Sequence, residues 1–177
     1  MKLSRGLLLL AVLLAHTGCG YSLAGRGSFL PAYIQRIGVP QFENATAVFD
    51  LGRIVTERVR AEFIGRGKYT IVPEATGVDA VLTGTISSVS LNPVAFNQQQ
   101  QATRYALVLT ASVEFKDLRA NKVLWQNASM QYREEFTLDP TRTGGDTAGF
   151  LGQDVNARDR MANEFARALV SAILEAF

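Results

Sequence analysis

The chain has 177 residues, of which 47% are hydrophobic, and this is enough for one domain with a buried core. Its 18 basic residues exceed its 16 acidic ones by two, and Lys2 and Arg5 account for that excess. Because nucleic-acid binding needs clustered surplus cations, the overall charge gives no support for that class of protein.

The N-terminus has the order of a bacterial secretory signal. Two cations are followed by an unbroken apolar run from Leu7 to Ala15 and then by small residues ending in Gly18. The run is about half as long as the roughly 20 residues that a membrane-spanning helix needs. We therefore predict that residues 1–18 are a signal peptide, with a buried N-terminal helix as the alternative.

Residues 15–19 (AHTGC) resemble the lipobox of bacterial lipoproteins. In that pattern a small residue precedes a cysteine whose sulfur receives diacylglycerol before cleavage, although His16 stands where Leu is usual. The resemblance implies a lipid-modified Cys19 as the first residue of the mature protein. Gly20, which is not Asp, implies sorting to the outer membrane in enterobacteria-like systems.

Loss of the signal would also remove catalytic chemistry. His16 is the only histidine and would be cleaved off, whereas Cys19 is the only cysteine and would be acylated. Zinc sites built from His and Cys are then excluded, as are Ser-His-Asp and Cys-His catalysis. Only an enzyme that works with carboxylates alone stays conceivable.

Residues 19–33 are rich in glycine and small residues and are predicted to be a lipidated tether, followed by a single domain over residues 34–177. Arg36–Phe42 (RIGVPQF) is predicted to be the first strand. Its alternation is ambiguous, and Pro40 favours an edge or a strand end because proline cannot donate to a ladder.

The segment Asp50–Ile64 has the pattern of an amphipathic helix. Asp50 is a plausible N-cap, and Gly65 and Gly67 supply a stop. The apolar residues on its core-facing side are Leu51, Ile54, Val55, Val59 and Phe63.

Four further segments carry strand patterns: Tyr69–Val72, Asp79–Leu91, Arg104–Phe115 and Val123–Phe136. A change of parity in the second of them predicts a bulge near Ser87-Ser88. Leu124, Ala128, Met130 and Tyr132 are predicted to face the core from the last strand. The last two strands are joined by a hairpin loop at Asp117–Asn121, which favours an antiparallel meander.

The closing segment Asn156–Phe177 repeats apolar residues at helical spacing, namely Met161, Phe165, Leu169, Ala172, Ile173 and Phe177. An antiparallel sheet can bury one face and leave the other wet. The predicted fold class is therefore α+β, a mostly antiparallel four-stranded sheet with two helices packed on one face.

Polar residues of the last strand are predicted to form the wet sheet face opposite the core, together with one aromatic residue: Trp125, Asn127, Ser129, Gln131 and Arg133. The adjacent Glu134 and Glu135 point to opposite faces of a strand and cannot easily act as an acid–base pair.

Two long loops interrupt the pattern. Asn92–Thr103 contains four glutamines and is either low-complexity filler or a contact to a partner or ligand. Thr137–Gln153 contains Phe150 and Leu151, which either form a partner surface or tuck under the closing helix.

Short motifs of this chain are similar to the LptE family of lipopolysaccharide-assembly lipoproteins. They are Cys19–Leu23 (CGYSL), Gly25–Pro31 (GRGSFLP) and Ile37–Asn44 (IGVPQFEN). The predicted strand order and closing helix also agree with that family.

The resemblance implies a lipid-anchored protein on the periplasmic face of the outer membrane. It would plug an LptD-like β-barrel and help lipopolysaccharide reach the cell surface, with no reaction, no cofactor beyond the acyl chains on Cys19, and no nucleic acid. The partner-contact candidates are Trp125, Phe150 and Leu151.

The resemblance also implies that residues near loop tips contact lipopolysaccharide phosphates. Here the loops offer Asn97, Arg104 and Arg142, and the two arginines are candidates on charge alone. Two other readings stay open: an auxiliary lipoprotein of another envelope transporter or secretion pore, and a carboxylate-dependent envelope hydrolase.

Overall fold

The computed structural model describes residues 30–66, 68–137, 150–151 and 155–176. In chain order the elements are β1 (Arg36–Gly38), β2 (Glu43–Asn44), α1 (Leu51–Gly65), β3 (Thr70–Val72), β4 (Ala80–Phe96), β5 (Ala102–Asp117), β6 (Lys122–Thr137) and α2 (Val155–Leu174). The predicted signal peptide, Cys19, most of the tether, Gly67 and Arg142 lie outside the described residues. No helix in the described part of the chain is long and apolar enough to cross a membrane.

In the part of the chain that the structure describes, the sheet has six strands and is mixed rather than four-stranded, which corrects the prediction. Its order is β3-β1-β4-β5-β6, and β2 also pairs with β4. The antiparallel meander β4-β5-β6 is confirmed, but β1 and β2 run parallel to β4, and β1 runs parallel to β3. Of the predicted first strand Arg36–Phe42 only Arg36–Gly38 is a strand, and β2 follows just beyond its predicted end. Pro40, which has no N–H, interrupts the ladder between β1 and β2.

Helix α1 supplies the crossover that a parallel β1–β3 pair requires. The return from β3 to β4 crosses β1 without a helix and comes very close to Gly38. A Cβ at Gly38 would stand 2.2 Å from the backbone oxygen of Glu74, so this crossing needs a residue without a side chain.

Both predicted apolar helix faces are buried. All five residues of the α1 stripe are buried, and on α2 the same holds for Met161, Phe165, Leu169 and Ile173. Of the other two residues predicted for that face, Ala172 is half-buried and Phe177 lies outside the described residues. Together with the inner sheet face the buried residues of both helices form one hydrophobic cluster. Within the described residues this confirms an α+β fold in which α1 and α2 pack on one face of the sheet, with the core between the helices and the sheet.

The start of α1 differs from the expected cap. Asp50 stands at the N-cap position, but its backbone is left-handed, with φ of 64°, and its side chain makes no capping hydrogen bond. Its Oδ2 instead accepts from Arg53 at 2.8 Å. Asp is one of the residues that tolerate this conformation.

The predicted bulge in β4 is confirmed, because Ile86 pairs with Ala111 and Ser88 with Thr110, so that Ser87 is left over. The predicted loop Asn92–Thr103 is mostly strand, and only residues 97–101 connect β4 to β5. Pro93 lies inside β4, but within the described residues no strand pairs with β4 on its other side beyond Ile86, so its missing N–H costs little there.

Register shifts between β5 and β6 change which residues of β6 face the core. Trp125 pairs with Phe115 and Asn127 with Val113, whose side chains belong to the core, and directly paired residues share a face. The prediction that these two lie on the outer face is therefore wrong, although Asn127 is exposed to solvent as predicted, whereas Trp125 packs against the core. The register then shifts by one residue before Met130.

Beyond this shift the prediction holds again. Gln131 pairs with Thr110 and Arg133 with Val108 on the outer face, and Met130 is buried. Ala128 was predicted to face the core but is exposed.

Candidate functional site

The outer sheet face, on the side away from the helices, is polar and concave. A depression of about 670 Å³ lies where β2, β4, β5 and β6 meet. Its polar lining comprises Gln41, Glu43, Thr83, Thr85, Ser112, Glu114 and Gln126. The Thr85 hydroxyl donates to Glu43 at 3.2 Å. Such a surface offers hydroxyl, amide and carboxylate groups to a wet environment.

Metal binding has no support on this surface or elsewhere in the described residues, which contain no group of three or more His, Cys, Asp or Glu side chains able to hold an ion. Glu134 and Glu135 also do not converge. Glu134 accepts from Arg160 at 2.7 Å and from the Tyr132 hydroxyl at 3.0 Å, whereas Glu135 contacts Arg104 and Arg133.

The β4–β5 hairpin tip is ordered by Asn97. Its Oδ1 accepts the backbone N–H groups of Gln99 and Gln101 at 3.0 and 2.9 Å, and its Nδ2 donates to the Gln101 side chain at 3.0 Å. Asn97 was a candidate ligand contact, and its side-chain amide already forms hydrogen bonds within the turn. Phe96 beside it is 57% exposed.

Arg104 lies on the same hairpin, near the start of β5, and its side chain is exposed. Its guanidinium is 3.7 Å from Glu135, a separation at which an exposed pair contributes little. The structure thus brings Asn97 and Arg104 to one hairpin, with the arginine free to take another anion.

The end of the second predicted loop is anchored rather than open. Leu151 is fully buried, and Phe150 packs edge-to-face on Phe136 with ring centroids 6.1 Å apart. The guanidinium of Arg160 lies over the Phe136 ring, 4.8 Å from its centre. Leu151 therefore belongs to the core and Phe150 packs against β6, while their contact with a partner stays a prediction.

Tyr132 and Trp125 are also partly covered, because both pack against the core from β6. Burial, with a smaller contribution from the hydrogen bond to Glu134, raises the pKa of Tyr132 to about 12. The phenol stays neutral at physiological pH and serves as a hydrogen-bond donor.

Sequence reasoning missed a cluster at the end of the sheet where the described chain begins. Asp79 accepts the backbone N–H groups of Gln35 and Arg36 at 3.0 and 2.8 Å and pairs with Arg119 at 2.6 Å. The two backbone hydrogen bonds, followed by the nearby arginine, hold the pKa of Asp79 below its usual value despite burial.

Asp117 ties the same region to the β5–β6 turn. Its Oδ1 accepts from the backbone of Arg119 and Ala120, at 2.8 and 2.9 Å, and its Oδ2 accepts from the Tyr33 hydroxyl. Burial opposes ionisation of Asp117, but these hydrogen bonds outweigh it and lower its pKa. An aspartate at the first position of a turn was the only signal available in the sequence.

Solved structures with the same fold have very different sequences. Protein CT253 from Chlamydia trachomatis is 11% identical, with a TM-score of 0.53 over 81% of this chain and 99% of that one. Lipoprotein B from Nitrosomonas europaea is 13% identical, with a TM-score of 0.51 over 89% and 96%. At these identities the likeness concerns the fold alone.

No curated protein is significantly similar in sequence to this chain. The profile of the LptE family, described as lipopolysaccharide assembly, matches residues 34–173. That range spans β1 through nearly all of α2. The chain therefore belongs to the LptE family.

Proposed function

We propose that this protein is an outer-membrane lipoprotein, acylated on Cys19, that plugs an LptD-like β-barrel and supports its assembly and the passage of lipopolysaccharide to the cell surface. The observation that carries the proposal is the family match over residues 34–173. The lipoprotein-like order of residues 1–19 that precedes the domain agrees with it.

The outer sheet face supports the proposed role of this domain as a plug inside a barrel. Barrels of the outer membrane have polar, water-filled interiors, and a domain inside one must present polar groups on every side that is not its own core. Hydroxyl, amide and carboxylate groups line the depression on the outer face together with Pro40, Val113 and Ala128. A face of this kind can exchange hydrogen bonds with water and with a polar barrel wall.

Our proposal assigns no catalytic step to this chain. Its role is to position another molecule, and the closest pair of acidic side chains in sequence, Glu134 and Glu135, is engaged by arginines. Arg104 is the described cation that we propose for contact with lipopolysaccharide phosphate, because the ion pair that it forms among the described residues is long and exposed.

Purification from detergent-solubilised outer membrane tests the partnership. A C-terminally tagged chain is expected to bring down a large β-barrel protein in a defined ratio, and depletion of the chain is expected to lower surface lipopolysaccharide. A chain that purifies alone, or as a ring of its own copies, would contradict the plug and favour an auxiliary or pore-forming lipoprotein.

The lipid anchor has its own test, the substitution Cys19→Ala. The native chain is expected to begin at Cys19 and carry diacylglycerol and N-acyl mass, whereas the variant lacks the sulfur that receives the lipid and should show none. Mass spectrometry of the N-terminal peptide is the measurement. A native chain with residue 1 intact and no lipid would refute the anchor.

A further inference from the structure

One end of the sheet gathers several elements around the point where the described chain begins. Register places Arg36 beside Thr70, Ile37 beside Ala80, and Asp117 opposite both Ala80 and Lys122. The starts of β1, β3, β4 and β6 and the end of β5 therefore lie together. We call the exposed side chains here the tether-end surface: Tyr33, Arg36, Leu118, Arg119, Lys122 and Val123.

The tether-end surface has an exposed apolar part. Tyr33 is 41% exposed and Leu118 and Val123 are each 37% exposed. The Tyr33 ring is held in place by its bond to Asp117 and by the Arg119 guanidinium, 5.7 Å above its centre. A fixed aromatic ring with a polar end suits the boundary between water and lipid.

The charged part of this surface is basic. Arg36 and Lys122 are exposed, and neither takes part in an ion pair within the described residues. Arg119 is paired with Asp79 but keeps 61% of its side chain exposed. The carboxylates of this region, Asp79 and Asp117, are only 8% and 1% exposed, so the surface presents cations outward.

The described end of the tether, beginning at Leu30, joins the domain at this same end. Leu30 and Ile34 are each 3% exposed, so the end of the predicted tether nearest the domain is fixed in the core. The stretch from Cys19 to Leu30 reaches at most about 40 Å when fully extended. A lipid on Cys19 therefore keeps the tether-end surface within that distance of the membrane.

We propose that the tether-end surface lies against the headgroups of anionic phospholipids in the membrane that holds the Cys19 acyl chains. The proposal rests on the acylation proposed above and not on the barrel partner. The tether supplies proximity, the cations supply attraction, and Tyr33, Leu118 and Val123 enter the headgroup layer. Each Lys or Arg near an anionic surface strengthens the attraction about fivefold.

A fluorescent label at Leu118 tests this contact. Because the sulfur of Cys19 is acylated, Leu118→Cys provides a single free thiol for an environment-sensitive dye. The acylated full chain is reconstituted into phosphatidylcholine vesicles with and without phosphatidylglycerol. We expect blue-shifted, brighter emission with the anionic lipid and no shift for the control Gln99→Cys, at the hairpin tip.

Charge variants of the labelled chain sharpen the test. Removing two cations with Arg36→Gln and Lys122→Gln should lower the docked-to-undocked ratio roughly 25-fold, about fivefold for each charge. Arg133→Gln removes one charge from the far part of β6, where Arg133 pairs with Val108, and should change nothing.

N-terminal mass is measured on the same samples. A chain without acyl mass would overturn both the anchor and this surface. An acylated chain whose label at residue 118 does not respond to phosphatidylglycerol would overturn the surface alone.

Discussion

Replacing Phe42 with alanine is expected to lower the free energy of unfolding by about 3–5 kcal/mol, the usual loss for a buried phenylalanine. Phe42 is 1% exposed, and its backbone N–H donates to the buried Thr56 hydroxyl of α1 at 2.9 Å. The residue thus joins the segment between β1 and β2 to the helix and the sheet. For a chain of this size the midpoint of thermal unfolding should fall by roughly 10 °C.

Urea and thermal unfolding followed by circular dichroism measure this loss. Phe49→Ala is the matched control, because Phe49 is 84% exposed and its truncation should change stability by less than about 0.5 kcal/mol. Equal losses for the two variants would show that the burial of Phe42 does not carry the energy.

The Phe42 ring occupies the space that a side chain at position 84 would need, and residue 84 is a glycine. A Cβ on Gly84 would stand 2.5 to 2.9 Å from three atoms of the Phe42 ring. Gly84→Ala alone is therefore expected to cost about 1–3 kcal/mol through overpacking. In the Phe42→Ala background the added methyl group has room, so its cost should shrink, and strictly additive losses would contradict this fit.

The helices and the meander could be predicted from the sequence because their patterns are local. The α1 stripe from Leu51 to Phe63 follows the 3.6-residue period, and the alternating residues of β5 follow the period of two. Each pattern results from burial against one common core, so the spacing of the apolar residues indicates which side faces inward.

The short parallel strands could not be predicted in the same way. β1 and β3 have three residues each and β2 has two, too few for any period to show. The pairing of β1 with β3 depends on where the chain reaches the sheet again after α1, which no local pattern shows. The register shift in β6 also escaped prediction because it depends on the partner residues Val113 and Ala111, and it reversed the expected faces of Trp125 and Asn127.

The surface cluster at the tether end was beyond sequence reasoning for a related reason. Tyr33 and Asp117 are separated by 84 positions, and Asp79 and Gln35 by 44. Neither aspartate belongs to a motif, and only the fold shows that both carboxylates are buried beneath exposed cations. By contrast, the candidate cation Arg104 could be recognised from charge alone.

Asp79→Ala is expected to destabilise the domain by about 2–4 kcal/mol, because it leaves the backbone N–H groups of Gln35 and Arg36 without their acceptor. Asp79→Asn keeps an oxygen that can accept both, and the lost pairing with Arg119 counts for less since that arginine is mostly exposed. The asparagine variant should therefore lose about 1 kcal/mol or less at pH 7. The matched control is Asp159→Ala, which removes an exposed acid 3.5 Å from Arg58 and should have little effect.

The pH dependence of unfolding separates charge from hydrogen bonding at this position. The pKa of Asp79 is lowered in the folded state from an ordinary value of 3.8, so the unfolded chain binds the proton more readily. Its contribution to stability is therefore complete above that ordinary value and is lost as the pH falls through the lower, folded one. The free energy of unfolding of the wild type, measured with urea, should fall over this acid range. That of Asp79→Asn should fall less, because of the two aspartates in the cluster only Asp117 remains to titrate. If both proteins lose stability in parallel, the carboxylate of Asp79 does not contribute its charge to holding the tether-end segment on the sheet.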